Sequence, residues 1–296
     1  MTKLKISKEW AIVIGLAIIK LLIHFFTNTN YELHRDAFLY YSLGEHPDWG
    51  YLSVPPLIAV FSKLAVLLFG NTIFALRFFP AIVGSVSVII IGLIIKELGG
   101  KVMALILGCI TFILTPAFLG SNTLFQPVSF DQFFWLLSGY FIVKLLKTQE
   151  TKFWIYLCLV WGIAFLNKYS IVFFAISFLA GLMLTSHRRL LFSKHFLYGI
   201  LIGFIIILPN LIWQNNHNWP VIHHFSELKK YQFAHVNTFE FIIDQFIHST
   251  KCHPMPAKLQ NILIICLYVG KMENRFIYVP NQKTLFLNFT LKKLQS

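Results

Sequence analysis

Apolar runs of 17 or 18 residues recur along this chain and dictate what it can fold into. They fall at residues 10–26, 78–95, 102–119 and 196–213. A helix needs roughly 20 mostly apolar residues to cross the hydrocarbon of a bilayer, with a range of about 17–25. Backbone polar groups find no water there, so the segment must satisfy them itself, as a helix does. Shorter runs at 153–166 and 169–184 adjoin at Asn167-Lys168 and predict two helices joined by a tight turn. A run at 124–146 is interrupted by Asp131. The pattern predicts an all-α, polytopic transmembrane helical bundle with about seven spans before residue 214. Composition agrees: 57% of residues are hydrophobic and 12% charged, the latter about half the usual share of a soluble domain.

The formal net charge of +13 would suggest nucleic acid in a soluble protein, but its placement predicts a membrane topology and no nucleic-acid partner. Lys3, Lys5 and Lys8 precede the first run. Lys96 and Lys101 lie between the second and third, Lys144, Lys147 and Lys152 between the fourth and fifth, and Arg188, Arg189 and Lys194 between the sixth and seventh. If every run crosses, all these segments share one side. Positively charged loops stay in the cytoplasm, so the N-terminus is expected there, in a cell membrane of the bacterial inner-membrane type. The first run has the basic start of a signal peptide, but Ile23-His24-Phe25-Phe26-Thr27 offers no small-residue cleavage site, so it reads as a retained span. Cys109, Cys158 and Cys266 sit in apolar runs, with no disulfide framework or zinc spacing.

On this map residues 27–56 and 214–250 face outward. Residues 57–70 are apolar but too short to span. Leu57, Phe61, Leu64 and Leu68 recur at helical spacing, which predicts a helix lying in the outer interface. Residues 1–247 read as one membrane module. Residues 248–296 read as an atypical tail, with one short apolar run at 262–269 and a basic ending that includes Lys292 and Lys293.

Acidic residues are scarce, twelve in all, yet Glu32, Asp36, Glu45 and Asp48 fall within 17 positions of the first outer loop. Tyr31, Phe38, Tyr40, Tyr41, Trp49 and Tyr51 are interleaved with them. A solvated loop is the plain alternative, and Tyr and Trp favour the interface in any case. An acidic, aromatic loop at that depth also suits a polar head on an apolar tail. Asp131 is the one acid inside a predicted span. It costs at least about 2.5–3.5 kcal/mol on insertion scales, which makes function the default expectation and structural pairing the alternative. Lys168, at the outer turn between the fifth and sixth runs, and Arg77, at the outer start of the second, suit phosphate binding or the anchoring of helix ends. His217, His223, His224, His235 and His248 show no metal-ligand spacing.

The text RDAFLYYSLGEHPDWGYLSVPPLIA at 35–59 resembles the first outer loop of GT-C glycosyltransferases, in the branch of protein mannosyltransferases and aminoarabinose transferases known as glycosyltransferase family 39. Members read like (H/R)-D-E-x-x-Y, then D-W-G-Y, then H-P-P-L-I. The resemblance continues through ALRFFPAIVG (75–84), KELGG (96–100), LFQPVSFDQFFW (124–135), FLNKYS (165–170), HRRLL (187–191) and LPNLIWQ (208–214), covering roughly 10–247. Two positions depart: Ala37 stands where a Glu usually follows the loop Asp, and Val54 where a His precedes the Pro pair. Members also continue with further spans, so the chain resembles a C-terminally truncated one.

The resemblance implies an inverting transfer of a sugar from a polyprenyl-phosphate donor to a lipid or protein acceptor on the outer face. It makes Asp36 the general base. Lys168 and Arg77 are expected to hold the donor phosphate, and Asp131 to bind a divalent metal ion or orient a cation or the acceptor. Arg35, Tyr40, Tyr41, Glu45, His46, Trp49 and Tyr51 are expected to form the substrate loop. The alternative is a truncated, non-catalytic remnant that binds lipid or a partner.

Overall fold

The computed structural model describes residues 7–231 and Phe239 of the 296. Among the described residues the regular structure is helical: α1 (Lys8–Thr27), α2 (Arg35–Glu45), α3 (Leu57–Phe69), α4 (Ile73–Glu97), α5 (Val102–Leu114), α6 (Pro116–Ser121), α7 (Pro127–Thr148), α8 (Phe153–Asn167), α9 (Ile171–Met183), a 3₁₀ turn (Ser186–Phe192), α10 (Lys194–Asn216) and α11 (Pro220–Tyr231). The predicted tail, residues 248–296, lies outside the described residues, as does His235 of the second outer loop.

The all-α architecture is as the apolar runs predict, and the helices differ in how well they suit a crossing. Three, α1, α4 and α10, are long and apolar enough; α9 with the 3₁₀ turn makes a fourth candidate only as a pair bent by 119°. α3, α5 and α8 have 13, 13 and 15 residues, about 20–23 Å at 1.5 Å per residue. α7 is long enough, with 22 residues, but carries Asp131, Lys144 and Lys147. The run at 102–119 is not one helix. It breaks at Thr115, and Pro116 opens α6 at its first position, where a missing N–H does no harm.

Helix ends sort into two groups. At one end Lys96 pairs with Glu9 (3.0 Å), and Glu97 with Lys144 (3.0 Å) and Lys147 (3.2 Å). Gln149 meets His187 (3.2 Å) and Thr151 meets His195 (2.8 Å). The start of α1, the end of α4, the end of α7 and the start of α10 therefore meet there, and with them Lys96, Lys144, Lys147 and Lys194. The opposite end gathers the first loop, the start of α7, the α8–α9 turn and the end of α10.

Packing relies on small residues where helices approach closely. Gly199 and Gly203 of α10 lie against α8: a Cβ at Gly199 would sit 2.8 Å from the Trp154 carbonyl, and one at Gly203 3.2 Å from that of Cys158. On α3 the buried face is Ile58, Ala59, Ser62 and Ala65. Of the predicted stripe Phe61 does pack, stacking on Phe130 at 4.3 Å, but Leu64 and Leu68 are exposed. Apart from Lys63 the exposed side of the helix is apolar too, so spacing alone does not identify the packed face. α1 holds a surprise for a span read only for its apolar length. Lys20, His24 and Asn28, four residues apart and so on one face, are all fully buried. The Lys20 ammonium lies 4.4 Å from the Phe112 ring centroid and has no hydrogen-bond partner among the described residues.

Candidate active site

The first loop is pinned from behind. Arg77, 1% exposed, donates from Nη1 to the carbonyls of Asn28 and Tyr31 (2.8 Å for the latter) and from Nη2 to that of Glu32 (2.6 Å). Its guanidinium also lies over the Tyr31 ring at 4.3 Å. The structure thus places Arg77 on the loop's backbone; the hydrogen bonds of its guanidinium run to carbonyls, not toward Asp131 or Lys168.

The clamped loop leads into α2. His34 caps the helix by accepting the Asp36 N–H at Nδ1 (3.3 Å). Asp36 lies in the first turn, where the helix dipole favours a carboxylate. It is about two-fifths exposed, with Arg35 Nε 3.3 Å from Oδ1. Gln126, at the start of α7, places its amide nitrogen 3.3 Å from Asp36 Oδ2 and 3.1 Å from His34 Nδ1. Tyr40 follows one turn later. Burial first, and the Asp36 charge second, push its phenol well above the ordinary range, so it remains a neutral hydrogen-bond donor. Ala37 points the other way, fully buried in the cluster that includes Ile58, Phe125 and Phe130.

Asp131 lies on α7, five residues beyond Gln126. It is 1% exposed and accepts from Ser170 Oγ (2.8 Å) and Trp135 Nε1 (3.2 Å). Lys168 Nζ stands 3.9 Å from its Oδ2, with the lysine side chain 37% exposed. Two residues that the sequence singles out separately are therefore brought together. Lys168 ends α8 in an extended conformation, and Asn167 beside it donates to the Pro127 carbonyl (3.0 Å), which ties the α8–α9 turn to the start of α7. A charged ion is costly to bury unless it is paired and hydrogen-bonded, and Asp131 meets both conditions. Its neighbours are an indole N–H, a hydroxyl and an ammonium, a set that orients a cation on a side chain and does not suit a divalent metal. No three His, Cys, Asp or Glu side chains converge among the described residues.

The remaining loop residues build the wall. Tyr41 donates to Glu45 (3.1 Å). The Tyr51 hydroxyl accepts the Asp48 N–H (2.9 Å) and lies 3.1 and 3.0 Å from the Leu43 and His46 carbonyls, so Tyr51 holds the loop's own backbone. Trp49 leaves its ring exposed while its carbonyl accepts from Asn210 Nδ2 (2.7 Å). Gly50 fits where a Cβ would lie 2.3 Å from the Trp213 ring. Asn210 and Gln214, both buried, also meet the Tyr169 hydroxyl at 3.2 Å each. His217 stacks on Trp213 at 4.1 Å, and its Nδ1 lies 2.8 Å from the Trp213 carbonyl. Sequence reasoning passed over His34, Gln126, Ser170, Tyr169, Asn210 and Gln214. Gln126, Asn210 and Gln214 carried the signal that singled out Asp131: a polar side chain beside or within an apolar run.

The family model described as dolichyl-phosphate-mannose-protein mannosyltransferase matches residues 53–213, from just before α3 nearly to the end of α10 and so downstream of Asp36. The lipid A galacturonosyltransferase RgtD of Rhizobium johnstonii is 22% identical over 239 residues, covering 79% of this chain and 50% of its own length. The chain thus spans about half the length of the curated relative it matches. No solved structure matches. With more than half of its residues inside the family model, and with an all-helical, membrane-type architecture around a paired Asp131–Lys168, this chain belongs to the dolichyl-phosphate-mannose-protein mannosyltransferase family, a group of GT-C glycosyltransferases.

Proposed function

We propose that the chain acts as a membrane glycosyltransferase that moves a sugar from a polyprenyl-phosphate donor to a lipid or protein acceptor at the outer face of the cell membrane, with inversion. The observation that carries this reading is the start of α7, where one helix end holds two charged centres. Gln126 meets Asp36, and Asp131 meets Lys168. Asp36 takes the proton of the acceptor hydroxyl as general base. The acceptor oxygen attacks the anomeric carbon, and the bond from that carbon to the phosphate oxygen breaks, its electron pair leaving with the phosphate. Lys168, oriented by Asp131, offsets the charge that develops there. Arg77 holds the loop that carries Asp36. A lipid donor explains a site at a membrane surface: the isoprenoid lies along apolar helices while the sugar phosphate stays in the polar end.

The basic side chains at the opposite end support, by the positive-inside rule, a cytoplasmic position for that end and an outer position for the Asp36 loop. The two names found by comparison bracket the acceptor classes. The family is named for transfer to protein, and the Rhizobium relative for transfer to lipid A.

The test is a transfer assay with a panel of polyprenyl-phosphate sugars and lipid or peptide acceptors. Asp36→Asn keeps shape and membrane insertion while removing the base; turnover should fall by about 10²–10⁴-fold. Wild-type turnover in that variant would remove Asp36 from its assigned role. Absence of transfer by the unaltered chain with every donor would favour the binding-only alternative.

A further inference from the structure

Gln126 occupies the N-cap of α7, a position whose side chain ordinarily accepts an N–H of the first turn. Here it makes no capping bond. The side chain is buried, 4% exposed, and turns instead to the first loop, with Nε2 3.3 Å from Asp36 Oδ2 and 3.1 Å from His34 Nδ1. An ionised carboxylate only accepts hydrogen bonds, so the amide atom beside it is the nitrogen and not the oxygen. A primary amide has two hydrogens, and two acceptors are in reach. One hydrogen goes to Asp36 and the other to His34.

His34 Nδ1 is then an acceptor twice over, since it also receives the Asp36 backbone N–H at 3.3 Å. A ring nitrogen that accepts carries no proton, so the neutral imidazole holds its proton on Nε2. In this arrangement the 3.5 Å approach of His34 Nδ1 to Asp36 Oδ2 sets two acceptors side by side, bridged by one amide. The anchor of that amide is stiff. Pro127 opens α7 next to it, Asn167 fastens the Pro127 carbonyl, and Ser129 Oγ lies 2.6 and 2.8 Å from the carbonyls of Ser121 and Leu124.

We propose that Gln126 is a positioning residue that clamps Asp36 and His34 together, aiming the Asp36 carboxylate for proton abstraction and locking His34 as the Nε2–H tautomer, a fixed donor for a sugar hydroxyl or phosphate oxygen. The inference rests on the reading of Asp36 as the base. The groups facing Asp36 are His34, Arg35 and Tyr40 from its own segment and Gln126 from α7, so a charge introduced at 126 acts on the carboxylate directly.

Two arms test it on the full chain in detergent or nanodiscs. In the transfer assay, Gln126→Leu should lower kcat about 10- to 100-fold with KM little changed. Gln126→Glu, which sets a second carboxylate beside Asp36, should move the acid limb of the kcat profile up by about one pH unit or more, a shift that a merely structural role would not produce. In the second arm, nitrogen-15 NMR of labelled histidine, with His34 assigned by its absence in His34→Gln, should show the Nε2–H tautomer in the wild type and a mixture in Gln126→Leu. A wild-type His34 that is Nδ1-protonated or charged near neutral pH would overturn the clamp. Unchanged kcat and pH profile in both Gln126 variants, in a protein that Asp36→Asn inactivates, would overturn it equally. Normal transfer by Asp36→Asn would defeat the base reading instead and leave the tautomer to decide the clamp.

Discussion

Replacing Arg77 by Met should loosen the loop that carries Asp36 before it affects any substrate. The side chain is 1% exposed and holds three carbonyls, those of Asn28, Tyr31 and Glu32. Hydrogen bonds from a charged donor contribute about 1.5–3 kcal/mol each. The sum is not the expected loss, because Tyr31 and Glu32 are exposed and water can replace the donor there. Asn28 is fully buried, and its carbonyl would be left without Arg77. A net loss of about 2–3 kcal/mol follows, which raises the open fraction of the loop roughly 30- to 150-fold where opening is fast relative to cleavage. The assay is cleavage after Glu32 by a glutamate-specific protease, alongside thermal unfolding followed by tryptophan fluorescence. Arg77→Lys, a point charge able to reach fewer carbonyls, should fall between. The reasoning is refuted if Arg77→Met cleaves and melts like the wild type while its KM for donor alone rises, because that pattern belongs to a phosphate ligand.

Lys168→Ala should raise KM for the donor more than for the acceptor; equal effects would mean that Lys168 only supports the fold. Asp131→Asn keeps its hydrogen-bonding shape but removes the charge that orients Lys168, so its effect on donor use should be non-additive with Lys168→Ala, and additive losses would separate the two. A reporter fused after Glu97 or Arg189 should read cytoplasmic and one after Asn218 external, and a cytoplasmic signal at Asn218 would invert the proposed topology.

The sequence was informative wherever an apolar background made a departure conspicuous. Long apolar runs predict helices, and helices stand where they were expected; Asp131 and Lys168 stand out against such runs and meet at 3.9 Å. Where leucines also cover the exposed side, as in α3, periodicity did not mark the buried face. Pro116 broke an expected span because a hydropathy run does not register a missing N–H. Arg77 shows another limit. Its position at a helix start fits a phosphate or a backbone carbonyl equally well, and only the fold of residues 28–32 around it shows what it meets. The clamp of His34, Asp36 and Gln126 joins residues some 90 positions apart, a pairing that no local pattern records.

The buried face of α1 bears on how the chain is assembled. A lysine near the centre of a helix adds about 2.5–3.5 kcal/mol to its insertion, and the ammonium of Lys20 meets Phe112 only once α5 packs on α1. Residues 28–72 separate α1 from α4, and Phe112 comes later still. At about 5–20 residues per second of synthesis, α1 waits for seconds with an ammonium it cannot shield alone. α1 therefore settles only after α5 has been made, and its final place in the bilayer is set by helices that the ribosome has yet to deliver when α1 emerges.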